Sequence, residues 1–188
     1  MAKEIFANGI QIVPLSSYVD ERGTFLEIFN ETIPFLVKQD NLTYTKKAGT
    51  LRGLHTQIGP YAQSRIVYCI KGAFYSLSVD LRKGSPYYGK SHILLMEEEK
   101  PALQYIPKGF AHGILSLKDD TIYTIKVDES YNRDRTNHIT LSAFYDANEL
   151  DFDKLVPGLP LIQSQRDQKE AYQNPQEIDS GVIYTEEN

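Results

Sequence analysis

The chain has 188 residues, 41% hydrophobic and 24% charged, a composition that suits one ordinary globular domain and excludes the disordered and fibrous classes. Its formal net charge of −5 offers no overall attraction for nucleic acid or an anionic lipid surface, so neither is expected as a partner. No apolar run approaches the roughly 20 residues that cross a bilayer, and Met1-Ala2-Lys3-Glu4 opens no signal-peptide core, so a cytoplasmic protein is expected.

The one cysteine, Cys69, has no partner for an intrachain disulfide, so the fold is expected to hold without an oxidising compartment and the thiol to fill core. Short β-branched and aromatic runs between turn signals favour strands over long helices. In chain order, strands are expected over 10–13 and 24–29, and a short helix over 31–39. The run 65–70 leads through Lys71-Gly72 into 73–79 at a spacing that fits a hairpin. In the second run, alternation sets Ala73, Tyr75, Leu77 and Val79 on one face to pack, and Phe74, Ser76 and Ser78 on the other, free to line a polar cavity. Further strands are expected over 91–96, 112–117, 121–128 and 138–144, with a short helix over 166–172. No repeat or linker divides the chain, which reads as one domain over 1–173 and a loosely held tail over 174–188. About ten short strands with turns every 8–12 residues suggest a sandwich or barrel, most naturally an antiparallel jelly roll, whose mouth is a common ligand site.

Three segments hold the residues of chemical interest. In Asp20-Glu21-Arg22-Gly23-Thr24-Phe25-Leu26-Glu27 a turn feeds a strand with Phe25 and Glu27 on one face. Leu51-Arg52-Gly53-Leu54-His55-Thr56-Gln57 sets a cation and an imidazole three residues apart around a glycine, a combination that binds an anion and moves a proton. In Tyr105-Ile106-Pro107-Lys108-Gly109-Phe110-Ala111-His112-Gly113, Pro and Gly set a sharp turn into a strand with another histidine. Taken singly, each histidine reads as a core residue and each arginine as a surface charge.

Taken together and in order, these segments resemble the dTDP-4-dehydrorhamnose 3,5-epimerase family, cupin-fold enzymes that invert carbons beside the ketone of a nucleotide-linked 4-keto-6-deoxy sugar. The resemblance runs from about residue 10 to residue 170. It also draws on Gln39-Asp40-Asn41, Ala62-Gln63-Ser64-Arg65, Val79-Asp80-Leu81-Arg82 with Ser85-Pro86, and Ser164-Gln165-Arg166-Asp167. It implies a mostly β fold, an antiparallel double-stranded β-helix with short peripheral helices, and a homodimer that exchanges strands between subunits. No cofactor is implied.

The family's chemistry needs a base for a weakly acidic C–H, a group to hold the enolate oxygen, and an acid on the opposite face. By resemblance, His55 is the base and Asp167 the carboxylate that orients it. Arg65 stands where the family has an enolate-stabilising lysine and keeps the charge without sharing a proton. Arg22, Glu27, Asn41, Arg52, His112 and Tyr131 match positions that line the sugar and diphosphate site.

The chain departs from the family at the acid. The catalytic tyrosine falls on Ile125, which has no exchangeable proton, while Tyr123 sits two residues earlier, about 6.6 Å away along a strand and on its same face, and is a candidate substitute. Other departures are Ser76 for a pocket aspartate, Thr136 for an acidic residue, Leu141-Ser142-Ala143 for Trp-Asn-Asp, and an extra residue between Asn41 and Arg52. Inversion of C3, C5 or both is therefore left open, with one centre alone consistent with Ile125.

Two other readings remain. A 4-keto to 3-keto isomerase of the same sugars resembles Arg-Gly-x-His-x-His, but Gln57 occupies the second histidine position. A non-catalytic nucleotide-sugar binder explains the lost tyrosine but gives no reason for a supported base. With His92 and His138 distant in sequence and no His-x-His, no metal is expected.

Overall fold

Short β-branched and aromatic runs build strands rather than helices, and the computed structural model describes the chain over residues 3–30, 33–140, 152–169, 171–172 and 177–185. In chain order the strands are β1 (Glu4–Ile5), β2 (Gln11–Pro14), β3 (Ser17–Asp20), β4 (Gly23–Leu26), β5 (Gln39–Thr45), β6 (Leu51–Gln57) and β7 (Arg65–Lys71). β8 (Ala73–Asp80), β9 (Ser91–Glu97), β10 (Ala102–Ile106), β11 (Phe110–Ser116), β12 (Thr121–Val127), β13 (Thr136–Ile139) and β14 (Ala171–Tyr172) follow, with short helices α1 (Phe152–Leu155) and α2 (Gln165–Lys169) before β14. One six-stranded sheet has the order β1-β2-β10-β7-β12-β5 and the other β14-β13-β6-β11-β8-β9, while β3 and β4 form a separate ribbon. Successive strands from β5 to β8 and from β9 to β13 cross from sheet to sheet, which is the jelly-roll arrangement of an antiparallel double-stranded β-helix.

Three apolar clusters hold the layers together, each buried Leu, Ile, Val or Phe contributing about 1.5–3 kcal/mol of transfer free energy. Between the sheets lie Val67, Phe74, Met96, Ile106, Phe110, Ile114 and Tyr123. Leu51, Leu54, Leu77, Val79 and Leu115 join Val156 and Ile178 of the later chain on the second sheet. On the first sheet, Ile66, Tyr68 and Leu103 receive Leu26, Phe29, Ile33 and Phe35. Cys69 is buried as a core filler, and burial first, with Glu98 and Glu99 adding, pushes its thiol up to about 12. Among the described residues no helix is long and apolar enough to cross a membrane.

Several expectations need correction. Residues 33–38 form no helix: the ring of Pro34 disfavours helical backbone at Ile33, and Gln39 already begins β5. Runs 65–70 and 73–79 do form strands, but not a hairpin: the chain turns at Gly72 from one sheet into the other, and a Cβ there would sit 2.6 Å from Thr121 Oγ1. The strand expected over 138–144 is Thr136–Ile139, and positions 141–144 lie outside the described residues. Of the region expected as a helix over 166–172, α2 covers the first part and β14 pairs in parallel with β13 beyond it. Residues 177–185, expected to be loosely held, run along the body: Ile178 is buried, Ser180 Oγ donates to Leu81 O at 2.7 Å, and Lys83 bridges to Ile183.

Strand β5 was absent from the expected strands for a physical reason. Its buried side is the polar one (Gln39, Asn41, Thr43, Thr45), while Leu42 and Tyr44 face out at 68% and 51% exposure. That inverted pattern belongs to a strand whose inner face borders a polar cavity.

Candidate active site

A cavity of about 680 Å³ opens between the sheets, walled by β5, β6, β7, β11, β12 and β13 and closed on one side by residues 162–167. Its floor depends on an irregularity in β6. β6 pairs with β11 so that His55 faces His112 but Arg52 faces Ile114, which inserts one extra residue into β6 between those pairs. Residues three apart on a regular strand point to opposite faces, and the bulge instead turns Arg52 and His55 into the same cavity. Gly53 is required there: its φ is +110°, and a Cβ would sit 2.7 Å from His112 O and 2.8 Å from Gly113 Cα. The glycine between cation and imidazole is thus the element that brings them together.

Asp167 reaches His55 from the other end of the chain. Ser164 caps α2, its Oγ accepting from Asp167 N at 3.1 Å, so the Ser-x-x-Asp spacing fixes the carboxylate at the third helical position. Asp167 Oδ1 lies 2.7 Å from His55 Nε2. Burial raises the Asp167 pKa, but His138, His55 and Ser164 outweigh it and hold the carboxyl well below the usual carboxylate range. At His55 burial is the largest influence and lowers the pKa, against the opposing pull of Asp167, with His138 and Arg65 lowering it further. An ionised Asp167 accepts from Nε2–H, which leaves a lone pair on Nδ1 of a neutral imidazole. His55 is half-buried in the cavity wall.

Arg65 is buried, with Nη1 donating to Phe110 O at 3.1 Å and Nη2 to His55 O at 3.4 Å. Burial pulls its pKa down to about 10, so it stays a cation at neutral pH and faces the cavity as one. His112 is buried beside it, and its pKa falls well below the ordinary value through burial and the neighbouring Arg65 and His55, so it is neutral. His112 Nε2 lies 2.9 Å from Ser76 Oγ, which donates to Gln104 Oε1, and Ser76 therefore does face the space between the sheets. Asn41 donates to Ile125 O at 3.2 Å and accepts from Gln39 Nε2 at 2.7 Å. Tyr131, half-exposed, accepts at its hydroxyl from Arg166 Nη2 at 3.3 Å.

Tyr123 and Ile125 both line the cavity from β12. Tyr123 is 2% exposed and packs on Phe74 with ring centroids 5.2 Å apart, and burial raises its phenol pKa, which keeps it protonated. Arg22 and Glu27 lie elsewhere in the single chain. Arg22 extends from the β3–β4 turn in an ion pair with Asp20, its side chain 84% exposed, and Glu27 lines a separate hollow with Tyr18 and Ile33.

The sequence reading missed several cavity residues. Gln57 and Gln63 lay inside the recognised segments without a role. Gln57 bonds Thr136 Oγ1 and exchanges hydrogen bonds with Asn132, tying the 131–136 turn to β6, and Gln63 donates to Glu129 O at 2.7 Å. His138 is distant from His55 in sequence, yet β13 pairs with β6 and sets it directly opposite His55. Ligand atoms of His55, His138 and Asp167 lie within 4.8 Å of one another, a spacing that metal ions use. Arg166 opposes that use: its Nη2 lies 3.4 Å from His138 Nε2, so the ring presents a lone pair to the cation and its proton, at Nδ1, to Asp167.

The family model for dTDP-4-dehydrorhamnose 3,5-epimerase matches residues 5–173. A dTDP-4-dehydrorhamnose 3,5-epimerase of Methanothermobacter thermautotrophicus is 33% identical over 177 residues, 89% of this chain and 92% of that protein. Its counterpart from Sinorhizobium fredii is 37% identical over 129 residues, 65% of this chain, and the match spans 66% of that relative's length. The structure of a dTDP-6-deoxy-D-glucose-3,5-epimerase from Legionella pneumophila in complex with dTDP-4-keto-L-rhamnose superimposes with a TM-score of 0.82 at 27% identity, covering 94% of each chain.

Proposed function

The chain belongs to the dTDP-4-dehydrorhamnose 3,5-epimerase family, and we propose that it inverts C3, C5 or both of a dTDP-linked 4-keto-6-deoxyhexose through an enolate, without a cofactor. The observation that carries this reading is the 2.7 Å contact of His55 Nε2 with an ionised, helix-anchored Asp167 at the wall of a sugar-sized cavity. A neutral His55 takes the C–H proton at Nδ1, and Asp167 stabilises the imidazolium that results. The electron pair moves from the broken C–H bond to the ketone oxygen, where Arg65 meets the developing charge by electrostatics. Protonation of the enolate carbon from the opposite face completes the inversion, with Tyr123 or a water as donor. Arg52, Asn41, His112 and Tyr131 supply polar contacts for the sugar and diphosphate.

Ile125 favours inversion of a single carbon, because the family's acid is absent from its usual place and Tyr123 sits deeper, against Phe74. Arg22 and Glu27 reach a nucleotide-sugar site only if the β3–β4 arm joins the cavity of a second copy, so the active form is a strand-exchanged homodimer. The protein works in the cytoplasm, where nucleotide sugars are made.

The test is incubation with dTDP-4-keto-6-deoxyglucose in deuterium oxide, followed by mass spectrometry and NMR. Label at C3 and C5 identifies a double epimerase with a relocated acid, and label at one carbon a single-centre enzyme. Binding without label overturns the reaction for this substrate and favours the non-catalytic binder.

A further inference from the structure

His138 has no part in the steps above, yet its ring packs directly against that of the proposed base. Strand pairing puts it opposite His55, with the two rings 4.5 Å apart at 73°. Its side chain is 4% exposed, and Nδ1 lies 3.5 Å from Asp167 Oδ1, the oxygen that also meets His55. On the far edge of the ring, Arg166 Nη2 lies 3.4 Å from Nε2. A guanidinium only donates, so Nε2 holds a lone pair and the neutral ring has its proton on Nδ1. That buried N–H has no other hydrogen-bond partner among the described residues, and a closure of a few tenths of an ångström gives it Asp167.

We propose that His138 is a positioning residue: with Arg166 fixing its tautomer, it clamps Asp167 as a shared acceptor between two imidazoles and so sets the basicity of His55. Two donors on one carboxylate oxygen hold the group in one orientation. They also divide its charge, so Asp167 stabilises an imidazolium at His55 less than an undivided carboxylate would. The proton of His138 and the cation of Arg65 on β7 oppose protonation of His55, while Asp167 of α2 favours it. Arg52 on β6, neutral His112 on β11 and Arg166 on α2 are the other charged or titratable groups described around the pair, with the Tyr131 phenol beyond Arg166. The consequence is a base that remains neutral further into acid than the Asp167–His55 pair alone would allow. Its effect on turnover rests on the reaction proposed above; the clamp itself does not.

The full-length protein and three variants test it by NMR titration of the imidazole resonances, alongside the pH profile of kcat/KM. His138→Leu removes the donor, and the His55 midpoint should rise by about one pH unit, the scale of one lost hydrogen bond. His138→Gln should do the same, since its amide stands near Nε2 beside Arg166, and it serves where the leucine variant does not fold. His138→Asn, whose amide takes the place of Nδ1, should return the midpoint to the wild-type value, and the acid limb of kcat/KM should follow each shift. An unmoved His55 midpoint in the leucine and glutamine variants, or an asparagine variant that behaves as they do, overturns the clamp. A shifted midpoint in a protein that never exchanges substrate hydrogen leaves the clamp standing and removes the proposed reaction instead.

Discussion

Removing the imidazole at position 55 deletes the proposed base while leaving the arginines of the cavity in place. His55→Ala should therefore abolish solvent exchange at the sugar carbon, a loss of about 10²–10⁴ or more in rate, with nucleotide-sugar affinity by calorimetry nearly unchanged; retained exchange would place the base elsewhere. The pH dependence follows from the directions of the shifts. His55 must be neutral to act and its pKa is lowered, so the acid limb of kcat/KM should fall below 6.5, whereas an unperturbed histidine would put it at that value. The same sign governs stability. His55, His92 and His112 are all lowered by burial, so the folded state resists protonation that the unfolded chain accepts, and stability should decline as pH drops from 6.5 through the folded-state values. Melting temperatures across that range check it, and a flat profile above pH 5 would contradict it. The sequence pointed to His55 and Asp167 only through the resemblance of their segments to the family, since the β6 bulge and the Ser164 cap that bring the two side chains together are visible only in the fold. His138 was not legible, because its neighbours are decided by the register of β13 on β6, and nothing within the run Thr136–Ile139 states which strand it will meet.

Strands decide what faces the cavity. On β12 Tyr123 and Ile125 share the inner face, so Tyr123→Phe removes the nearest hydroxyl on that strand with little change of volume. Turnover should slow by about 10²-fold or more if the phenol is the acid, and an unchanged rate assigns the proton to water. At the end of β8, Asp80 and Arg82 form an ion pair with both side chains 0% exposed. Ser85 Oγ donates to the carboxylate at 2.7 Å, and the guanidinium stacks over Phe110 and Tyr184 at 4.8 and 4.9 Å. Arg82→Leu strands the aspartate, and the loss should reach about 3–5 kcal/mol in denaturant unfolding, well beyond a surface ion pair. Runs of β-branched and aromatic residues between turn signals identified β8, β9, β11 and β12, with alternation read along 73–79. The pattern failed for β5, whose polar side is the buried one, and for 33–38, where Ile33 and Phe35 dock singly onto the first sheet instead of forming a helical face.

At the scale of the whole chain, the apolar arm is the conspicuous surface. Tyr18, Val19 and Phe25 of the β3–β4 ribbon are 64%, 74% and 66% exposed, and Leu42 and Tyr44 lie outward on the edge strand β5. Open edges and apolar surface of this kind favour pairing with a second copy. Light scattering should give a dimer for the wild type, and Val19→Lys with Phe25→Lys a monomer with weakened nucleotide-sugar binding. A wild-type monomer with full affinity would show that Arg22 and Glu27 play no part. The jelly-roll class was legible because it needs only short alternating runs and turns; the route of the later chain over the second sheet was not, since it depends on Val156 and Ile178 finding an apolar surface already formed. That route also dates the site. His55 precedes Asp167 by 112 positions, so at a synthesis rate of about 5–20 residues per second the base emerges roughly 6–20 s before the carboxylate that orients it. Through that interval strands β7 to β13 are made while the imidazole lacks its support, so the proposed chemistry waits on a residue translated after every strand of the two sheets but β14.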